Sequence, residues 1–390
     1  MLIVPLDNEK LFCFKPDFKI DDIPIGICKV LLVASQEEYS KIVLTAKKLW
    51  QEISPPDFTG LIRADLVPAF RTAIPKRTIW RRMKAYDFGS LEIIGIYEFN
   101  VRSPECIAVG EALHQSMEIL KEFQPNTCAN FADAFKKTFG DSALYIVPGD
   151  SVLKRNFSKS LVRGLEREKI EVHLLNFEQT VEIMEKERDN EVFWIWADYG
   201  DFLPQDLQEL PEWFSEILKT YQGEKKIFNT LYKKSLSNKG LLMPQPNKEW
   251  WNRLVGNNFF LDSKKAYSKA KKKKNFIVVK RLEGSSGRDI YFGRKESSNH
   301  WDKILKECLK KREYGVYEAK WLPRLKLPKF NTVITLDINP AFWCNGKGEV
   351  KDLYVIARAD IYKNYFKRGT INVASGGGVI GNLIVDEKIK

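Results

Sequence analysis

Two strand-forming stretches of this chain carry polar side chains at alternate positions. The first contains Arg63 and Asp65, and the second contains Glu98 and Asn100. Because successive side chains of a β-strand point to opposite faces, residues two apart lie on the same face. Both stretches are otherwise apolar and rich in β-branched or aromatic residues, which is typical of strands in a packed sheet. The sequence therefore predicts two neighbouring strands that share one polar surface.

The predicted polar surface has the side chains of a metal and phosphate site. Asp65, Glu98 and Asn100 offer carboxylate and amide oxygens, which Mg²⁺ prefers when it bridges substrate phosphates. Arg63 shares a face with Asp65, and its planar guanidinium can hold a phosphate group through two parallel hydrogen bonds. A surface strand with solvated polar residues is the alternative. The combination of Arg-x-Asp with a later Glu-x-Asn favours the metal and phosphate site.

A second polar feature lies in the carboxyl-terminal third of the chain. Residues 276–280 form an apolar strand that ends in Lys280, where a buried ammonium would need an anionic partner. Glycines shortly afterwards would let backbone N–H groups approach phosphate oxygens closely. An ordinary hairpin turn is the alternative interpretation. The predicted phosphate loop consists of Gly284, Ser285, Ser286 and Gly287.

Composition limits the class of protein. With 390 residues the chain is long enough for two to three domains of about 150 residues each, and its apolar content of 44% is sufficient for large cores. The 63 Lys and Arg exceed the 51 Asp and Glu, giving a formal charge of +12, which suits an anionic partner. A nucleic-acid role is not favoured, because no basic-aromatic module accompanies the charge. An acidic substrate such as a peptide carboxylate, attracted in part by the basic residues 71–82, is as compatible with the charge as simple surface solubility.

Cysteine and histidine usage and hydropathy exclude several other classes. The six cysteines and three histidines are scattered, which supports neither a zinc site nor a disulfide framework. Reduced thiols are typical of cytosolic proteins. No run approaches the roughly 20 apolar residues that a membrane helix needs. The sequence therefore predicts a soluble cytoplasmic protein with no membrane partner.

The order of predicted elements indicates an α+β protein with a small α/β unit in its middle. We predict domain ranges of 1–125, 126–222 and 223–390. In the middle range, short apolar strands alternate with a helix, which indicates a parallel sheet. The basic connection 71–89 is expected to be too long for a simple hairpin. The predicted strands are 27–33, 61–67, 90–99, 143–147, 171–175, 192–196, 276–280, 337–344 and 350–358, and the predicted helices are 36–50, 105–123 and 158–169.

These motifs together resemble the circularly permuted branch of the ATP-grasp family, which includes glutathionylspermidine synthase. Arg63-x-Asp65 and Glu98-x-Asn100 resemble the metal-binding end of that fold, and the Lys280 strand with its glycine loop resembles the nucleotide-binding start. In the ordinary order the lysine half comes first, whereas here it comes last. The resemblance covers residues 55–125 and 225–380, and it implies a permuted ATP-grasp fold with the α/β unit on the substrate side.

The resemblance also assigns further residues. Lys239, in a segment similar to the Asn-Lys-x-x-Leu motif of the branch, is implied to contact phosphate. Glu318 and Lys320 lie in a segment similar to the hinge that holds adenine and ribose. Arg358 matches the arginine that stabilises the transferred phosphoryl group, a role shared with Arg63. The glycine-rich segment 372–378 resembles the closing segment of the branch.

The function implied by the resemblance is an ADP-forming carboxylate–amine ligase that uses ATP and Mg²⁺. ATP would phosphorylate a small-molecule or peptide carboxylate, and an amine would then attack the acyl phosphate. Two alternatives stay open. One is an ATP-grasp kinase that phosphorylates a hydroxyl group. The other is a catalytically silent basic binding protein on the same fold, since Arg102 and Arg281 stand where the branch usually has aspartate and proline.

Overall fold

The structure is a computed structural model in which helices, antiparallel sheets and one parallel sheet combine as an α+β protein. It describes residues 1–6, 12–13, 19–20, 23–24, 27–55, 57–101, 107–108, 110–111, 127–148, 152–186, 191–195, 212–223, 226–228, 239–282, 289–369, 371 and 378–389. The predicted helix at 105–123 lies mostly outside these residues. Described α-helices are Gln36–Gln51, Thr127–Phe139, Val152–Arg167, Phe177–Glu185, Glu212–Gly223, Glu249–Val255, Lys264–Lys272, Ser298–Lys311 and Tyr362–Arg368.

The largest sheet, called here the central sheet, is mostly antiparallel and carries both predicted polar strands. Its hairpin of Thr332–Asn345 and Val350–Ile361 turns at the Asn-Gly of residues 345–346, and Gly346 has a positive φ of 72°. Leu325–Leu327 pairs at the edge of Thr332–Asn345. In spatial order the strands are Leu91–Asn100, Thr59–Phe70, Thr332–Asn345, Val350–Ile361, Gly378–Asn382, Ile27–Cys28 and Phe12–Cys13.

The second sheet, called the amino-terminal sheet, lies beside the central sheet. The single strand predicted at 27–33 is wrong in one respect, because the chain changes sheets at Lys29: Ile27–Cys28 belongs to the central sheet and Val30–Ala34 to the amino-terminal sheet. A two-stranded pair, Lys19–Ile20 with Ile23–Pro24, stands apart. The strands of the amino-terminal sheet are, in spatial order, Ile384–Val385, Val30–Ala34, Leu2–Pro5, Met83–Asp87 and Lys76–Trp80.

The basic connection between the two polar strands is more than a simple hairpin turn, as predicted, because it contains a pair of strands of its own. Lys76–Trp80 pairs with Met83–Asp87 through a two-residue turn at Arg81 and Arg82. Both turn residues have positive φ, 44° and 69°, which glycine or asparagine adopts more readily than arginine. The turn was missed in the sequence because neither residue type signals it.

The predicted α/β unit contains a four-stranded, all-parallel sheet. Its spatial order is Val172–Leu174, Ala143–Val147, Glu191–Ile195 and Ile227–Phe228. The parallel arrangement confirms the prediction, although the fourth strand lies beyond the predicted boundary at 222. The observed helix Val152–Arg167 begins earlier than the predicted 158–169.

The parallel unit docks on the central sheet through aromatic packing. The rings of Phe131 and Trp343 meet edge to face with centroids 5.6 Å apart. Trp343 Nε1 donates to Thr138 Oγ1 at 2.9 Å, and Asn130 Nδ2 donates to the carbonyl of Leu353 at 2.7 Å. Phe131, Trp343 and Leu353 belong to one continuous core, so the unit covers one part of the central sheet.

A small antiparallel sheet carries the predicted lysine strand. Its spatial order is Phe259–Phe260, Tyr314–Glu318, Ile277–Arg281 and Ile290–Phe292. Helices Lys264–Lys272 and Ser298–Lys311 contribute to the same core as these strands. The last turn of helix Lys264–Lys272 carries three lysines, Lys269, Lys271 and Lys272. Short 3₁₀ turns occur at Lys239–Leu242, Lys274–Phe276, Gly293–Lys295 and Pro328–Phe330.

The small antiparallel sheet contacts the central sheet through the residues that follow its strand Tyr314–Glu318. Tyr97 Oη donates to the carbonyl of Lys320 at 2.6 Å. The guanidinium of Arg294 lies 3.3 Å from the ring centroid of Trp321 and 3.9 Å from that of Phe366, in helix Tyr362–Arg368. These contacts hold the two sheets against each other beside the polar strands.

The amino terminus is fixed by a buried carboxylate. Ser35 caps helix Gln36–Gln51, and Glu38 completes a capping box with it. Glu38 Oε1 also accepts hydrogen bonds from the amino group of Met1 at 3.0 Å and from Leu91 N at 3.1 Å.

Among the described residues, no helix has the length and apolar character needed to cross a membrane.

Candidate functional site

The two predicted polar strands pair with each other in the predicted way. Strands Thr59–Phe70 and Leu91–Asn100 are antiparallel, and their register places Glu98 opposite Asp65 and Asn100 opposite Arg63. Directly opposite residues share a face, so all four side chains lie on one surface of the central sheet. The prediction of one shared polar surface is confirmed.

Asp65 is the centre of a buried hydrogen-bond network on that surface. Its Oδ1 accepts from Arg63 Nε at 2.8 Å and from Asn339 Nδ2 at 3.0 Å. Its Oδ2 accepts from Arg63 Nη2 at 3.2 Å and from Arg358 Nη2 at 3.1 Å. Burial opposes the charged carboxylate, but Arg63 and Arg358 outweigh burial and hold the pKa of Asp65 below its usual range.

Arg358 is oriented by a second carboxylate. Arg358 Nε donates to Asp337 Oδ1 at 3.1 Å, and Arg358 Nη2 donates to Asp337 Oδ2 at 2.5 Å. The two residues are cross-strand partners in the central hairpin. Burial opposes the arginine charge, but Asp337 and Asp65 together raise the pKa of Arg358. Arg358 therefore stays charged and is held by a two-point contact.

Asn339 is a further member of the network. Its side chain is fully buried and donates to Asp65, while its Oδ1 has no hydrogen-bond partner among the described residues. Asp337 and Asn339 were missed as site residues in the sequence. Their signal was present, since they repeat on Thr332–Asn345 the alternate polar positions of Arg63 and Asp65. It was obscured because the strand is otherwise strongly apolar.

Two predicted lysines approach the same surface from other parts of the chain. Lys239 begins a 3₁₀ turn and is buried, and its Nζ lies 3.6 Å from Glu98 Oε2. The Nζ of Lys280 lies 5.5 Å from the ring centroid of Tyr97 and 5.3 Å from that of Tyr317. Burial lowers the pKa of Lys280, Glu98 opposes that shift, and Lys239 adds to it. Lys239, Lys280 and Glu98 therefore share one electrostatic environment.

Glu318 and Lys320, the predicted adenine and ribose residues, lie at the end of strand Tyr314–Glu318 of the small antiparallel sheet. Glu318 Oε2 accepts from Asn257 N at 3.0 Å. Lys320 Nζ donates to the carbonyls of Ile94 at 3.0 Å and Arg253 at 3.2 Å, and also to that of Leu254. Burial lowers the pKa of Lys320 to about 8. The structure thus places Lys320 at the end of helix Glu249–Val255 and does not bring its amino group into the network around Asp65.

Part of the predicted site lies outside the described residues. This applies to the phosphate loop, Gly284, Ser285, Ser286 and Gly287, and to residues 372–377 of the closing segment. Arg102 is also outside them, whereas Arg281 is described and forms an ion pair with Glu313, Arg281 Nη2 lying 2.9 Å from Glu313 Oε2.

A divalent cation needs several oxygen ligands that converge on one point. In the described part of the chain, no group of three or more His, Cys, Asp or Glu side chains is positioned to hold a metal ion. Asp65 already accepts two hydrogen bonds on each oxygen. Glu98 offers a partly exposed carboxylate, and Asn100 lies two residues further along the same face of its strand. Mg²⁺ sites that bridge substrate phosphates need few protein ligands, so Glu98 and Asn100 are the residues that would hold such an ion.

The charges of the site favour an anion. The described site has four basic side chains, Arg63, Arg358, Lys239 and Lys280. Its described carboxylates are three, Asp65, Asp337 and Glu98.

A comparison of the chain with protein-family models finds no match, and a comparison with curated proteins also finds none.

Proposed function

We propose that this protein is an ATP-dependent ligase of the circularly permuted ATP-grasp type, which joins a carboxylate to an amine and forms ADP. The observation that carries the proposal is the convergence of Glu98, Lys239 and Lys280 from three distant segments beside the arginine network. Such a concentration of cations around one carboxylate suits a polyphosphate with its counter-ion. The two antiparallel sheets between which they converge support the same fold proposal.

The proposed reaction has two steps. An oxygen of the substrate carboxylate attacks the γ-phosphorus of ATP, the bond from that phosphorus to the β–γ bridging oxygen breaks, and ADP leaves. The nitrogen of the amine then attacks the acyl carbon, the carbon–oxygen bond to phosphate breaks, and the amine loses a proton. The products are an amide, ADP and inorganic phosphate.

The side chains act mainly through charge. Lys239 and Lys280 bind phosphate oxygens, and Arg63 and Arg358 stabilise the negative charge of the transferred phosphoryl group. Removing one such donor costs about 10²–10³ in turnover in enzymes of comparable chemistry. Mg²⁺ bound at Glu98 and Asn100 would neutralise phosphate charge. No protein nucleophile is required.

ATP consumption in the presence of pooled carboxylic acids, peptides, amino acids and polyamines tests this proposal. We expect consumption that requires both an acid and an amine, and a loss of consumption in Glu98→Ala and Lys280→Ala. Lys272→Ala, which changes an exposed lysine of the same segment, is the matched control and should behave as wild type. A stable phosphorylated product formed without an amine would instead identify the kinase alternative.

A specific observation also favours the binding-protein alternative. The hairpin region 71–84 presents exposed cations and, before Asp87, no acidic residue. These cations are Arg71, Lys76, Arg77, Arg81, Arg82 and Lys84. Tight, salt-sensitive binding of an oligonucleotide, combined with no binding of Mg-ATP, would support this function over the ligase.

A further inference from the structure

The contacts of Asp65 are those of an arginine-binding carboxylate. A carboxylate offers about four lone-pair sites, two on each oxygen. In Asp65 all four accept hydrogen bonds: Oδ1 from Arg63 and Asn339, and Oδ2 from Arg63 and Arg358. A cation could bind Asp65 only by displacing one of these donors from a buried position. The sequence pattern predicted Asp65 as a metal ligand, whereas its hydrogen bonds are those of a carboxylate that binds two arginines.

We propose that Asp65 and Asp337 are positioning residues that hold Arg63 and Arg358 in place for the transferred phosphoryl group, and that Asp65 does not bind the metal. This inference rests on the proposed function and names how its arginines are oriented. Metal binding then belongs to Glu98 and Asn100, on the neighbouring strand.

The physical reason for two positioning carboxylates is the proximity of two cations. Arg63 and Arg358 both contact Asp65, so their like charges would repel each other without a shared counter-ion. Asp337 fixes the guanidinium plane of Arg358 through Nε and Nη2. Nη1 of Arg358 makes no hydrogen bond to a described residue, and we assign it to the transferred phosphoryl group. Asn339 adds a neutral donor to Asp65 and fixes the carboxylate without adding charge.

The Mg²⁺ dependence of nucleotide binding separates a positioning residue from a metal ligand. We would titrate the β,γ-imido analogue of ATP into wild type, Asp65→Asn and Glu98→Gln at a series of Mg²⁺ concentrations, by calorimetry. Glu98→Gln should raise the Mg²⁺ concentration at half-maximal binding by about tenfold or more. Asp65→Asn should leave that concentration at the wild-type value. An increase in Asp65→Asn equal to that in Glu98→Gln would overturn the inference.

Asn339→Ala keeps the inference testable if Asp65→Asn does not fold, because this variant removes a donor and no charge. If Asp65 were a metal ligand, releasing its Oδ1 from Asn339 should lower the Mg²⁺ requirement. The inference predicts an unchanged requirement in Asn339→Ala, and a lower one would contradict it. Failure of the proposed function has a different signature, because wild type itself would then bind no nucleotide at any Mg²⁺ concentration.

Discussion

Asp65 and Arg358 lie 293 positions apart in the chain, and Arg358 Nη2 donates to Asp65 Oδ2 at 3.1 Å. The strand that carries Arg358 is brought to Asp65 by the intervening strand Thr332–Asn345, which pairs with both neighbours. Asp337 and Asn339 on that middle strand bridge the two residues. The network therefore depends on the correct order of three strands, and its members are coupled in stability as well as in the proposed chemistry.

Asp337→Asn is expected to destabilise the fold strongly. Asp337 and Arg358 have side-chain exposures of 3% and 18%, and removing the Asp337 charge leaves the buried Arg358 to share the Asp65 carboxylate with Arg63. We expect the free energy of unfolding to fall by about 3 kcal/mol, measured by urea denaturation. Glu37→Gln, which removes an exposed pair with Lys41, is the control and should leave the denaturation midpoint unchanged. Equal effects in both variants would refute the stabilising role of the buried pair.

The hairpin turn offers a stabilising substitution. Arg81 and Arg82 both have positive φ, which costs roughly 1–2 kcal/mol per non-glycine residue, and Asn-Gly fits such turns. The double substitution Arg81→Asn with Arg82→Gly should therefore raise the melting temperature. The control pair Arg81→Gln with Arg82→Gln removes the same charges but keeps the strained backbone, so it should give no such increase. A rise of equal size in the control would mean that charge repulsion, not backbone strain, is relieved.

Lys320 gives a pH dependence with a defined sign. Its folded-state pKa is lowered from 10.5 to about 8, so between these values the unfolded chain binds more protons at this residue than the folded one. The contribution of Lys320 to stability should rise as the pH increases from about 8 to about 10. Thermal unfolding of wild type and Lys320→Gln should show a difference in melting temperature that grows in favour of wild type over this range. A difference that shrinks would contradict the lowered pKa.

Much of the fold follows from local sequence signals. Helix Gln36–Gln51 is marked by its capping box, and the strands of the parallel unit are marked by short apolar runs between polar turns. The turn at Arg81 and Arg82 could not be predicted in this way, because tertiary pairing overrides the backbone preference of arginine. The change of sheet at Lys29 likewise depends on partners that are distant in sequence.

The site was predictable as a set of residue types but not as a network. Alternation on two strands was enough to place Arg63, Asp65, Glu98 and Asn100 on one face. The contacts that occupy Asp65 arise from Asn339 and Arg358, whose strand order no local pattern reveals. The contact of the Lys320 amino group with the end of helix Glu249–Val255 was also not predictable, because no local sequence signal indicates it.

Calorimetric titration of Mg-ATP into the wild-type protein and Lys280→Met tests the central claim most directly. We expect saturable one-site binding to wild type and an affinity weakened by about tenfold or more in Lys280→Met, because a charge-assisted phosphate contact is lost. Lys272→Met, an exposed change in the same segment, should bind as wild type. No binding by wild type, or equal binding by wild type and Lys280→Met, would contradict an ATP site at the convergence of Glu98, Lys239 and Lys280.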